Sequence, residues 1–157
     1  MGCKIKKLNE IKQIAKRLRR KKRKIVFTNG CFDILHYGHI KYLEKCKRLG
    51  DVLIIGLNSN LSVKKIKGKS RPIMGEKERA SILSALEFVD YVTIFDEKTP
   101  ETLIKEITPG ILAKGGDWRK ADIVGRSHVE QHGGRVVTIP FVKGYSTTSM
   151  LARIKNA

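Results

Sequence analysis

His36 and His39 stand three residues apart, with Asp33 just before them and Gly38 between them, in the run Ile25 to His39, I-V-F-T-N-G-C-F-D-I-L-H-Y-G-H. Residues at i and i+3 share one side of a helical turn. Two imidazoles beside the unpaired N–H groups of a helix start suit a polyphosphate whose charge shifts during reaction. Asn29-Gly30 tolerates positive φ and lets the backbone approach a ligand closely. Cys31 lies in the same loop with no general base assigned to it, and reads as a small loop residue. Two further loops carry polar groups of the same kind. Lys114-Gly115-Gly116-Asp117-Trp118 has two glycines for close approach and the lone tryptophan, and Lys143 to Thr148 ends in Ser146-Thr147-Thr148. Hydroxyls at a helix start are ordinary caps, and they also reach phosphate. His128 and His132 are four apart, but H-V-E-Q-H is not H-E-x-x-H and no third ligand follows. That pair reads as a surface helix, and no metal site is expected. No Walker P-loop is present.

The elements that must hold these loops follow from periodicity. Residues 7 to 20 place Leu8, Ile11, Ile14, Ala15 and Leu18 at helical spacing among Lys and Arg. Ile25 to Phe27 reads as a buried strand, and a helix runs from Gly38 to Leu49-Gly50. Val52 to Leu57 is the second strand, ended by Asn58-Ser59-Asn60. Residues 62 to 72 read as a polar, Lys-rich stretch. A helix spans about Gly75 to Glu87 and a strand Tyr91 to Phe95. Thr99 is the expected N-cap of a helix with Pro100 in its first turn. Ile111 to Ala113 is a short strand, a helix lies within 121 to 132, and Arg135 to Ile139 is the fifth strand, before a last helix. Strand and helix alternate five times. The expected fold is therefore α/β, a Rossmann-like doubly wound sheet of about five parallel strands with helices on both faces. Ligands in such sheets bind past the carboxyl ends of the strands where strand order reverses, and all three polar loops lie at such ends.

Composition sets the bounds. The 157 residues fit one domain, and 41% are hydrophobic, enough for one core. No apolar run approaches a membrane span, and the basic N-terminus lacks the apolar region of a secretory signal. Three cysteines without C-x-x-C spacing point to a reducing cytoplasm. Of the net charge of +18, about +11 falls in residues 1 to 24. Those residues are expected to form a basic helix packed on a domain of residues 25 to 157. Such a balance calls for an anionic ligand. The run Arg19 to Lys24 reads either as a patch for RNA, DNA or acidic lipid or as a solvated helix end, and the absence of interleaved aromatic residues to stack bases favours the solvated helix end. A basic nucleic-acid-binding protein would account for the charge but not for the histidines or the loops. No membrane partner is expected.

The run T-N-G-C-F-D-I-L-H-Y-G-H resembles the first motif of the cytidylyltransferase-like nucleotidyltransferases, G-x-F-D-x-x-H-x-G-H, and G-Y-S-T-T resembles their second, G-x-S-T-T. Further strings are similar to one branch of that family, the heptose 1-phosphate adenylyltransferases. They are G-D-x-L-I-x-G-x-N-S, K-G-x-x-R-P-I, V-D-Y-V, K-G-G-D-W and D-I-V-G, and together they extend over residues 24 to 155. Phe141 stands where glycerol-phosphate cytidylyltransferases carry arginine, so a glycerol-3-phosphate cytidylyltransferase is the second reading. The resemblance implies transfer of AMP from ATP to a heptose 1-phosphate, giving ADP-heptose for lipopolysaccharide core and pyrophosphate. It implies Mg²⁺ held mainly by the triphosphate with Asp33 nearby, a homodimer, and a transferase standing without the sugar kinase to which it is fused in many bacteria. It places His36, His39, Lys67 and Thr147 in catalysis. Nucleotide would be bound by Thr28, Asn29, Gly30, Cys31, Phe32, Asp33 and Gly38, by Lys114, Gly115, Gly116, Asp117 and Trp118, and by Tyr145, Ser146, Thr147 and Thr148. The acceptor phosphate would meet Lys67, Arg71 and, more weakly, Arg79.

Overall fold

The computed structural model describes residues 4–116, 119–142 and 144–155. In chain order the elements are α1 (Leu8–Arg20), β1 (Ile25–Gly30), α2 (Tyr37–Lys47), β2 (Val52–Asn58), α3 (Asn60–Lys67), α4 (Glu76–Ala85), β3 (Tyr91–Phe95), α5 (Glu101–Ile107), β4 (Ile111–Gly115), α6 (Arg126–Gln131), β5 (Arg135–Ile139) and α7 (Thr147–Lys155). The five strands form one all-parallel sheet in the order β3-β2-β1-β4-β5. Parallel strands are covered on both faces, so they read as unbroken apolar runs, and every residue of β2 (V-L-I-I-G-L-N) is buried.

The register assigns the side chains. Ile25 pairs with Val52 and Phe27 with Ile54, and these four share one face with Leu112. The alternate residues Val26, Leu53, Ile55 and Ala113 share the other. On the first face lie Ile11, Ile14 and Ala15 of α1, Leu103, Ile104 and Ile107 of α5, and Val129 of α6. On the second lie Tyr42, Leu43 and Cys46 of α2 with Ala80 and Leu83 of α4. Gly56 in β2 is required by this packing, since a Cβ there would stand 2.8 Å from Phe27 Cζ.

Residues 4 to 24 share this core. Before α1, the chain bonds along β3, with Lys6 N–H donating to Val92 O at 2.8 Å and Val92 N–H to Lys4 O at 2.9 Å. Three local expectations are corrected. The stretch beginning at residue 62 is largely helical, as α3 ends at Lys67. Ser59 caps it, its Oγ accepting from Ser62 N–H at 3.1 Å. Three lysines in its last turn hid the helix in composition while suiting its dipole. The N-cap of α5 is Pro100, one residue later than Thr99. The helix expected within 121 to 132 is there as the six-residue α6, entered through Gly125 at φ 86° and preceded by a 3₁₀ turn at Lys120–Asp122. Finally, β1 and β4 run on through Asn29-Gly30 and Lys114-Gly115, because Gly56-Leu57 and Thr138-Ile139 on their neighbours continue the ladder.

Candidate active site

Strand order reverses between β1 and β4, which are neighbours at the middle of the sheet. Past their carboxyl ends lies a cavity of about 700 Å³, within the range of small-molecule sites. Of the residues expected at the site, Asn29 to Asp33, His39, Lys67, Arg71, Lys114, Gly115, Thr147 and Thr148 all line it. Three loops distant in sequence are thereby brought together by the switch point.

The histidines stack. The rings of His36 and His39 are 3.7 Å apart between centroids and inclined by 18°. His36 is the N-cap of α2, its Nδ1 accepting from His39 N–H at 3.3 Å, which leaves its proton on Nε2. Gly38 makes room for this arrangement, since a Cβ there would stand 3.1 Å from the His36 ring and 3.1 Å from Tyr145 Cβ. Phe32 sets its edge on His39 at 5.2 Å. It adopts a left-handed φ of 43° and covers Gly30, where a Cβ would stand 3.0 Å from its ring. A bulky residue held at positive φ is strained, and such strain gathers at functional sites. Burial, then the neighbouring His36 charge, push the His39 pKa down to about 4, against a backbone interaction with Ile34. Burial also lowers the His36 value. Both rings are therefore neutral N–H donors at pH 7.

Cations surround the cavity. Lys114, nearly buried, donates to Asn29 Oδ1, which fixes the two strand ends to each other. Lys67 ends α3, and Lys98 lies on the loop after β3. Burial raises the Cys31 thiol pKa, outweighing Lys67 and Arg79, so this sulfur is a protonated wall group.

Several expected ligands have other work. Asp33 is 2% exposed and accepts from Ile73 N–H at 2.8 Å and Met74 N–H at 3.0 Å, and it forms an ion pair with Arg71 at 2.6 Å. It pins the segment before α4. Arg79 is 1% exposed and donates to Met74 O at 3.0 Å, Cys31 O at 2.6 Å, Asn58 O at 2.8 Å and Asn60 Oδ1 at 2.9 Å. It is a brace behind the phosphate loop and does not reach a substrate. Thr28 is fully buried, its hydroxyl paired with that of Tyr42 at 2.8 Å, and it is not among the lining residues. Ser146 caps α7, its Oγ accepting from Ser149 N–H at 3.1 Å. Gly116 follows β4 against Pro140, outside the lining. Tyr145 packs on Tyr37 with 5.0 Å between ring centroids. Asp117, Trp118 and Lys143 lie outside the described residues.

Sequence reasoning missed an apolar wall. Val63 and Ile66 of α3, with Val124 and Phe141, line the cavity beside the cations. The i, i+3 spacing of Val63 and Ile66 was the available signal.

Among the described residues, no three His, Cys, Asp or Glu side chains cluster to hold a metal. With Asp33 engaged by two backbone amides and Arg71, a divalent ion would be carried by phosphate oxygens and waters. No helix among the described residues is long and apolar enough to cross a membrane.

Residues 27–153 match the profile of the family described as cytidylyltransferase-like. The chain is 51% identical over 155 residues to the bifunctional protein HldE of Geobacter metallireducens, covering 99% of this chain and 32% of that protein. Against the HldE of Pelobacter propionicus it is 56% identical over 132 residues, 84% of this chain and 27% of the other. It thus spans about a third of the length of these curated relatives. Among solved structures, the lipopolysaccharide core biosynthesis protein of Thermoplasma volcanium superposes with a TM-score of 0.64 at 32% identity, over 79% of this chain and 99% of that one. The pantoate-beta-alanine ligase of Francisella tularensis superposes with a TM-score of 0.65 over 96% of this chain and 76% of its own, and at 17% identity it shares the fold alone.

Proposed function

The chain belongs to the cytidylyltransferase-like family, and from that premise we propose that it transfers AMP from ATP to D-glycero-β-D-manno-heptose 1-phosphate. The products are ADP-heptose and pyrophosphate. The observation that carries the reading is the convergence, in one cavity at the β1/β4 switch point, of His39, with His36 stacked on it from outside the lining, a ring of lysines and the start of α7. This is a site for a polyphosphate in which positioning and charge stabilisation are the catalytic terms.

An oxygen of the sugar phosphate attacks the α-phosphorus of ATP, the bond from that phosphorus to the β-bridging oxygen breaks, and pyrophosphate leaves. A phosphate dianion is itself nucleophilic, so no base is required. Neutral His36 and His39 donate N–H bonds to the bridging and β-phosphate oxygens, where charge builds as the bond breaks. The start of α2 adds its dipole. Lys114 lies at the floor, and Lys67 with Arg71 meets the acceptor phosphate from the α3 side. Thr147 and Thr148 offer hydroxyls and the helix start of α7 to the distal phosphates. A Mg²⁺ ion would be held mainly by the triphosphate and would supply screening of its charge.

The preference for ATP is supported by the K-G-G-D-W string and by Phe141, which lines the cavity where arginine would mark a cytidylyltransferase. The heptose acceptor is supported by the family branch and by the similarity to a lipopolysaccharide core biosynthesis protein. The reading includes a cytoplasmic setting, carried by the cysteine usage, and a homodimer, carried by the resemblance. The test is pyrophosphate release with the four nucleoside triphosphates crossed against heptose 1-phosphate, other sugar 1-phosphates and glycerol 3-phosphate. The highest kcat/KM is expected for ATP with heptose 1-phosphate. A higher value for CTP with glycerol 3-phosphate overturns the assignment.

A further inference from the structure

The fold gathers a second set of cations at the opposite end of the sheet. Lys24 immediately precedes β1, Arg48 lies in the turn before β2, and Arg135 opens β5. The turn Arg20 to Arg23 leads into Lys24, and Arg23 N–H closes it on Leu18 O at 3.0 Å. These segments touch. A Cβ at Gly50 would stand 3.2 Å from Lys24 Cγ, and one at Gly110, before β4, 3.7 Å from the same atom. Arg135 N–H donates to Gly110 O at 3.0 Å. With strands about 4.8 Å apart, the row from β2 to β5 spans about 14 Å.

The two aspartates at this end are taken. Asp51 accepts from Lys24 N–H at 2.6 Å and pairs with Arg23 at 3.7 Å. Asp90 pairs with Lys47 at 2.5 Å and accepts from Leu53 N–H at 2.7 Å. Arg20, Lys21, Lys22, Lys24, Arg48 and Arg135 are all exposed, and their side chains have no ion-pair partner among the described residues. One cation at the end of α1 or α2 would satisfy that helix dipole. Six from three segments exceed that need.

We infer that this end of the sheet is a docking surface for an anionic lipid bilayer, formed by Arg20, Lys21, Lys22, Lys24, Arg48 and Arg135. The partner's chemistry follows from what the surface has and lacks. It presents helix carboxyl ends and strand starts, so no helix amino terminus offers N–H groups to grip a single phosphate. None of the exposed large apolar side chains falls in residues 20–24, 45–51 or 132–135, so nothing stacks on bases or inserts into acyl chains. A row of long cationic side chains along one end of the sheet fits a plane of dispersed negative headgroups. The active-site crevice, past the other ends of the same strands, then faces away from the bilayer and stays open.

The test is sedimentation of the full chain with phosphatidylcholine vesicles containing about one-third phosphatidylglycerol, and with pure phosphatidylcholine vesicles, at about 0.1 M salt and above. Binding is expected to the anionic vesicles alone and to vanish as salt rises. At about fivefold per cation, changing Arg20, Lys21, Lys22 and Lys24 together to Gln should lower the partition constant by about 10²-fold or more. Circular dichroism and pyrophosphate release should be unchanged. A second variant, Arg48→Gln with Arg135→Gln, should lower it by roughly tenfold, since these residues join the surface only through the fold. Equal binding to neutral vesicles, no binding to anionic ones, or undiminished binding by either variant overturns the inference. So does tighter binding of a DNA duplex at the same salt, which would assign the surface to nucleic acid.

Discussion

Lowering the pH from 7 to 5 should destabilise this protein through His39 in particular. The ring titrates at about 4 in the folded chain against an ordinary value of 6.5, because burial and the stacked His36 oppose a charge on it. The unfolded chain therefore takes up the proton first. The stabilising preference for the neutral ring is complete above about 6.5, is lost progressively as pH falls toward 4, and levels off below that. At about 1.36 kcal/mol per pKa unit the whole window is worth about 3 kcal/mol. Between pH 7 and pH 5 the loss is about 2 kcal/mol, reduced toward 1 by the solvent that reaches a half-buried ring. Urea unfolding at both pH values, for the natural chain and for His39→Gln, isolates this share from that of the carboxylates. The natural chain should lose more stability than the variant by that amount. The imidazole C–H resonances should show His39 titrating well below the other histidines, and pyrophosphate should move it upward, since a bound anion favours the charged ring. Equal losses in both proteins, or a His39 titration near 6.5, would refute the buried, neutral donor on which the mechanism rests.

Three substitutions test other parts of the site and its frame. His36→Asn keeps an acceptor for the start of α2 while removing the ring, so melting temperature should hold while kcat falls by about 10²-fold, as for loss of one oxyanion donor; near-full turnover would remove His36 from the chemistry. Arg79→Met leaves three carbonyls and the Asn60 side chain without their donor and should cost about 3–5 kcal/mol in denaturant unfolding. A change within experimental error would show that it is not a brace. Lys22 closes α1 at a left-handed φ of 54°, where glycine is the usual residue, so Lys22→Gly should raise stability by up to about 1 kcal/mol in the same assay.

How much of this was legible in the chain depends on the range of the interaction concerned. Strands β3 and β5 were read to the residue, because apolar runs bounded by turn residues express a local preference. The end of β1 was not, since Asn29-Gly30 joins the ladder only through the partner Gly56-Leu57. The sequence by itself determined the α/β alternation, the three polar loops at strand ends and the paired histidines, all of which are encoded within a few residues. Tertiary structure decided which of the polar groups face a ligand. Asp33, Arg79 and Thr28 have the residue types of a site, yet their partners at Met74, Asn58 and Tyr42 lie 41, 21 and 14 positions away along the chain. A buried polar group must find its hydrogen bonds wherever the fold places them, and spacing along the chain carries no record of which group that will be. The same holds for charge: the run Arg19 to Lys24 is visible as a string, but only the sheet order sets it beside Arg48 and Arg135, at the end of the sheet opposite the candidate active site.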